Sequence, residues 1–172
     1  MWPFRKKPNL PPGFKKDNQG NIMFELTEEE KQEVQKAFDM VKSFFGGEFG
    51  VKKEVADEAH GVIIAMGLSN YAKDQIMLSK LDPNKSRGKE FIDRAVDSIT
   101  KAYSFCQLPI YMYDLACFIE MGGKNEIAKS AFRKFLELQR NFRPSQIQEM
   151  LLNVARRDIN KAIEHAEEKV VT

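Results

Sequence analysis

PIYMYDLACFIEMGGKNEIAKSAFRKFLELQ, residues 109–139, decides the fold. Met112, Leu115, Ala116 and Ile119 recur at helical spacing, and so do Ile127, Ala128, Ala131, Phe132, Phe135 and Leu138. Gly122-Gly123 breaks the pattern between them. An apolar stripe on a helix is buried against a neighbour, and so short a break makes the adjoining helix that neighbour. The stretch therefore predicts an antiparallel helical hairpin, and it contains no catalytic group.

Working outward, the same periodicity runs through most of the chain. Thr27-Glu28-Glu29-Glu30 has the form of a capping box opening a first helix through Val34, Phe38, Val41 and Phe45, with Gly46-Gly47 as its end. Val55, Ala59, Val62, Ile63 and Met66 mark a second helix, and Gly67-Leu68 reads as its stop. A third is expected over 70–81 with Ser69 as N-cap, before the break at Asp82-Pro83-Asn84 and Gly88. A fourth covers about 89–106, and Pro109 suits the first position of the fifth. The sixth spans roughly 125–141. Ser145 and Gln148 form a second capping box, opening a helix through Ile147, Met150, Leu151 and Val154. Arg156-Arg157-Asp158 interrupts it before Ile159, Ala162, Ile163 and Ala166. The expectation is an all-α domain of seven or eight helices over residues 27–172.

Residues 1–26 read differently. Pro3, Pro8, Pro11 and Pro12 make the first part extended, because proline lacks a donor and fixes φ. Within 13–25, Asp17-Asn18-Gln19-Gly20 supplies the turn of a short β-hairpin. Of the chain's 27 basic and 25 acidic residues, Arg5, Lys6, Lys7, Lys15 and Lys16 fall in residues 1–16, which hold no acid. The remaining residues carry 22 basic against 25 acidic groups. A basic arm on a mildly acidic body argues against a protein that coats nucleic acid with its whole surface.

At 172 residues, 42% hydrophobic and 30% charged, the chain has the composition of one globular domain. No apolar run approaches the roughly 20 residues of a membrane span. The positively charged start has no apolar segment behind it, so a secretory signal is not expected. Cys106 and Cys117, without a CxxC pair, suit free thiols in a reducing cytoplasm.

Ala95, Ala128 and Ala162 lie 33 and 34 residues apart, each in the second helix of a pair. A small residue there lets two helices approach, and a period near 34 marks a helical solenoid. Over residues 109–138 the chain resembles the tetratricopeptide-repeat family. Leu115-Ala116 stands where that family has Leu-Gly, Ile119 where it has an aromatic, and Gly123, Ala128, Phe132 and Leu136 on further signature positions. Met112 replaces the usual tryptophan, Phe135 a small residue and Arg140 a proline, and the unit before Ala95 carries an insertion over 82–88. The resemblance implies stacked helical hairpins, as a solenoid or an irregular bundle, whose first helices line a groove for a partner segment. On that geometry Tyr113, Cys117 and Glu120 face the groove. The function implied is a non-catalytic protein-binding module, holding a partner segment or self-associating.

Other motifs carry less. Asp57-Glu58-Ala59-His60 spells a helicase box, but it lies in a helical pattern and no GxxxxGK[ST] accompanies it. His60 and His165, the two histidines, have no HxxxH or ExxH spacing for a metal. No catalytic residue, cofactor, metal ligand or small-molecule substrate is read from the sequence. The arm supports an alternative function: Trp2 and Phe4 beside Arg5, Lys6 and Lys7 suit an anionic membrane surface or single-stranded nucleic acid. Arg5, Pro8 and Pro11 also match a proline-rich ligand of SH3-type domains. A helical enzyme with a dispersed site is a third reading.

Overall fold

The computed structural model describes residues 14–16, 18, 22–45, 53–82 and 87–171. Strands β1 (Phe14–Lys16) and β2 (Ile22–Phe24) pair antiparallel, with Phe14 opposite Phe24 and Lys16 opposite Ile22. Seven helices follow among the described residues, and the fold is all-helical apart from this hairpin.

Helix α1 (Glu28–Phe45) begins at the expected capping box. The Thr27 amide donates to Glu30 Oε2 at 2.9 Å and the Glu30 amide donates to Thr27 Oγ1 at 3.2 Å. Its inner face, Val34 and Ala37 with Phe38 and Val41 beside them, packs on α2.

Helix α2 (Lys53–Leu81) is one unbroken element of 29 residues, about 43 Å long, where two helices were expected. Gly67 does not stop it. A Cβ on Gly67 would lie 2.5 Å from Val34 Cα and 2.8 Å from Val34 N, so this glycine is where α1 crosses in close contact. Leu68, expected as the contact of a helix stop, is fully buried core. Ser69, expected as an N-cap, lies inside the helix and is 3% exposed.

Helix α3 (Gly88–Phe105) packs along α2 through Ala95, Ile99 and Ala102. It ends where the Cys106 amide donates to Ala102 O at 3.0 Å. Buried Leu108 then leads into α4 (Pro109–Met121), with Pro109 at its start. Helix α4 is buried on several faces: Ile110, Tyr111, Asp114 and Phe118 join Met112, Leu115 and Ala116 inside.

The α4 terminator is a Schellman motif. Gly123 sits at φ 77°, its amide donates to Glu120 O at 2.8 Å, and the Lys124 amide donates to Ile119 O at 3.2 Å. Helix α5 (Asn125–Asn141) returns antiparallel, burying Ala128, Phe132 and Phe135 against α4. Ile127 is a correction: expected in the stripe, it lies beyond the contact edge and is 57% exposed.

Helix α6 (Gln146–Val154) opens with the second capping box, in which the Gln148 amide donates to Ser145 Oγ at 3.3 Å. Leu151 turns inward, whereas Met150, expected inward, is 45% exposed. The α6 terminator repeats the motif of α4 with Arg156 at φ 49° in place of glycine. The Arg156 amide donates to Asn153 O at 3.1 Å and the Arg157 amide to Leu152 O at 3.4 Å. Asp158 then caps α7 (Ile159–Val171) by accepting from the Lys161 amide at 3.1 Å.

Helices α1 to α5 pack in chain order, each on the next. Helix α7 lies on α5 and α4, and α6 lies against α2. Helix α6 thus folds back to α2, with α4 enclosed between α2, α5, α6 and α7.

Candidate functional site

The spacing of Tyr113, Cys117 and Glu120 brings them onto one face of α4. That face is packed against α7. Tyr113 Oη lies 2.9 Å from His165 Nδ1, and the two rings meet edge to face at 5.8 Å. Phe132 and Phe135 of α5 close on the same tyrosine ring at 5.9 and 5.3 Å. One turn further on, Lys169 Nζ donates to Glu120 Oε1 at 2.7 Å. Ala162 and Ala166 are the buried residues of α7, and their small side chains let it sit close. Burial pushes the Cys117 thiol up to about 11 against the opposing hydrogen bond from Tyr113. Burial likewise pushes the Tyr113 phenol above its ordinary value. Both groups therefore stay neutral near pH 7, and the face recognises α7 by shape, one polar contact and one ion pair.

The opposite side of α4 turns Tyr111 and Asp114 toward α2 and α6. Arg157, brought in by the strained Arg156 terminator, pairs with Asp114 Oδ1. Burial pushes the Asp114 carboxyl up, opposed by Arg157 and Lys73, and its Oδ2 has no hydrogen-bond partner. Burial also raises the Tyr111 phenol. Beside this pair a small cleft of about 20 Å³ opens between α2, α4 and α6, with Ser69, Asn70, Lys73, Tyr111 and Arg157 as its polar lining. The buried Ser69 Oγ has no partner there. Burial, and then Arg157, pull the Lys73 amine below its ordinary value.

A second cleft, of about 190 Å³, lies at the start of α1, lined by Thr27, Glu29, Glu30, Tyr71, Arg94 and Asp97. Behind it is a buried charged group. Lys101 Nζ, with a side chain that is 0% exposed, lies 2.9 Å from Glu30 Oε2 and 2.9 Å from Asp97 Oδ2. Ser98 Oγ also donates to Glu30 Oε1. Burial draws the Lys101 amine down, but the hydrogen bonds and charges of Asp97 and Glu30 outweigh it, and the net shift is upward. Asp97 is raised, chiefly by burial, with Lys101 opposing. This lysine is locked as a cation, so it works as a structural counter-charge and not as a base.

The remaining sequence candidates are scattered. His60 lies on α2 with its ring 5.7 Å from Phe38, while His165 is on α7. Among the described residues no three His, Cys, Asp or Glu side chains gather to hold a metal. The helicase-like tetrapeptide is part of α2, so it lacks the strand end its chemistry requires. Cys106 and Cys117 are free thiols, and burial raises Cys106 as well. The basic aromatic arm of Trp2, Phe4, Arg5, Lys6 and Lys7 lies outside the described residues.

Lys73 and Lys101 escaped sequence reasoning because each is a polar residue in an amphipathic pattern, where a solvent-facing position is the ordinary assignment, and Ser69 reads only as an N-cap. The only available signal was the four-residue spacing of Ser69 and Lys73, which stacks them on one face if α2 is continuous.

Among the described residues no helix is both long and apolar enough to cross a membrane. No protein-family model, curated protein or solved structure matches this chain.

Proposed function

We propose that this chain is a non-catalytic protein-binding module built of tetratricopeptide-like helical hairpins, acting in the cytoplasm. The observation that carries the reading is the seating of α7 on the Tyr113, Cys117 and Glu120 face, through His165 and Lys169. A helix with a small-residue stripe and two polar anchors is what a partner segment for that face would resemble, and α7 is its intramolecular occupant. Exchange of α7 between two copies gives self-association by the same contacts. The repeat reading is supported by Ala95, Ala128 and Ala162, all buried, and by the matching terminators at Gly123 and Arg156. Free thiols at Cys106 and Cys117 suit a reducing compartment.

A charge swap tests it. In a Lys169→Glu chain the protein's own α7 meets Glu120 with like charge, and a labelled peptide of residues 158–172 is titrated by fluorescence anisotropy. Saturable binding is expected, lost when Glu120→Lys is added, because that change repairs the internal contact and repels the peptide. Absence of binding, or binding indifferent to Glu120→Lys, refutes the assignment of this face.

A further inference from the structure

Two donors in the α2/α4/α6 cleft have no acceptor among the described residues. Ser69 and Lys73 are one helical turn apart on α2 and both line the cleft. The Ser69 hydroxyl is buried and unpartnered. Lys73 is half-buried, and Asp114 acts on it only at a distance, without a hydrogen bond. A half-buried ammonium with no ion-pair partner among the described residues carries a desolvation cost that Asp114 offsets only from a distance.

Charge selects the missing group. Lys73, Arg157 and Asp114 together carry a net +1, and the Asp114 carboxylate is already engaged by Arg157. A water molecule would satisfy hydrogen bonds and leave the charge uncompensated. A monovalent anion answers both needs, whereas a phosphate dianion leaves excess negative charge beside Asp114. The cleft is open and holds about 20 Å³, room for about one water-sized group such as a carboxylate oxygen, so the rest of a ligand lies at its mouth. The rest of the lining is Asn70 and Tyr111 beside an apolar wall in which Met66, Ile110 and Leu151 come from three different helices.

We propose that this cleft binds a short aliphatic monocarboxylate, with its carboxylate on Ser69 and Lys73, Arg157 behind them, and its alkyl tail at the open mouth beside Met66, Ile110 and Leu151. The proposal goes beyond the partner face, since the cleft lies on the other side of α4.

The test is titration of the full chain with sodium butyrate, followed by amide chemical shifts, beside butyramide and sodium chloride. Butyrate is expected to give saturable shifts around residues 69–73 and 110–114, with butyramide and chloride giving none there. Lys73→Gln is expected to weaken butyrate at least tenfold and Ser69→Ala several-fold. Lys73→Met keeps the volume, so it should fold, melt at a higher temperature without ligand and lose the butyrate response. No saturable butyrate response overturns the proposal. Butyramide binding as well as butyrate, chloride producing the same shifts, or unchanged affinity in Lys73→Gln also overturns it.

Discussion

Glu30 has two roles, and separating them gives a quantitative test of the buried charge at the α1–α3 contact. Its carboxylate closes the α1 capping box and also meets Lys101 Nζ at 2.9 and 3.2 Å. At 2.9 Å the pair's attraction is about 6 kcal/mol for an effective dielectric of ~20. Desolvating both ions costs several kcal/mol each, so the intact pair adds little net stability. Removing one partner is different, because it leaves the other charge buried. Glu30→Gln retains a side chain able to close the capping box, so it isolates the charge. We expect a cost of ~3 kcal/mol, at the low end for a broken buried pair because Asp97 still holds Lys101. Lys101→Met is expected to cost about 3–4 kcal/mol, by stranding Glu30. The double variant should return to within about 1 kcal/mol of the parent, a coupling of several kcal/mol read from urea unfolding curves. Lys101 has a folded pKa above 10.5, so its contribution is fully present below 10.5 and is lost as pH rises through the folded value. Additive single effects, or single costs under about 1 kcal/mol, would refute the compensation argument.

Gly67→Ala gains about 1 kcal/mol of helix propensity but drives a methyl into Val34 backbone at 2.5 Å. We expect a net loss of about 2 kcal/mol, a fall in melting temperature of roughly 4–8 °C, and an unchanged melt would contradict the close crossing. Arg156→Gly relieves a left-handed residue that costs about 1–2 kcal/mol, offset by about 0.4–1 kcal/mol of chain entropy, so a small stabilisation is expected in thermal unfolding. Gly123→Ala should lose about 1 kcal/mol in the same assay although its Cβ would meet nothing within 4 Å, because the strain is in φ. For Lys73, whose folded pKa is depressed by burial, the group's contribution is present above its unfolded value near 10.5 and is lost as pH falls through the folded value. The stability advantage of Lys73→Met should therefore be larger at pH 7 than at pH 10.5, and a pH-independent advantage in denaturant melts would argue for packing alone.

Local signals were legible where local chemistry decides the outcome. Both capping boxes, the Pro109 start and the Gly123 turn form as the residues dictate, since each is completed within a few positions. Gly67 misled because a glycine followed by leucine looks the same as a helix stop or as a crossing point. The difference is Val34, on another helix, and no local pattern reports it. Lys101 is the same failure for charge: its burial depends on Glu30, 71 residues away. Ile127 and Met150 sit at the borders of their apolar stripes, where the width of the neighbouring helix decides exposure. Residues that share a face of α4 could be read from spacing, as with Tyr113, Cys117 and Glu120. What covers that face could not, because α7 reaches it only after α6 has turned back to α2.

Three polar side chains of α4 are answered by the C-terminal segment: Asp114 through Oδ1 by Arg157, Tyr113 by His165 and Glu120 by Lys169. Whether the two sides of α4 act together depends on where this segment hinges. Arg157 is held by its amide in the α6 terminator and by its side chain on buried Asp114. Withdrawing it would strand a buried carboxylate, at several kcal/mol. Asp158, by contrast, is exposed, and its side chain contacts only the first turn of α7, capping it and pairing with Lys161. The weak link therefore falls between Arg157 and Asp158, and α7 can leave its face while the cleft stays assembled. Lys169→Glu, which loosens α7, should then change butyrate affinity by less than about twofold, since sites without a shared moving element have no coupling free energy. A tenfold change would place Arg157 in the moving part, and butyrate would then have to alter α7 exchange by the same factor.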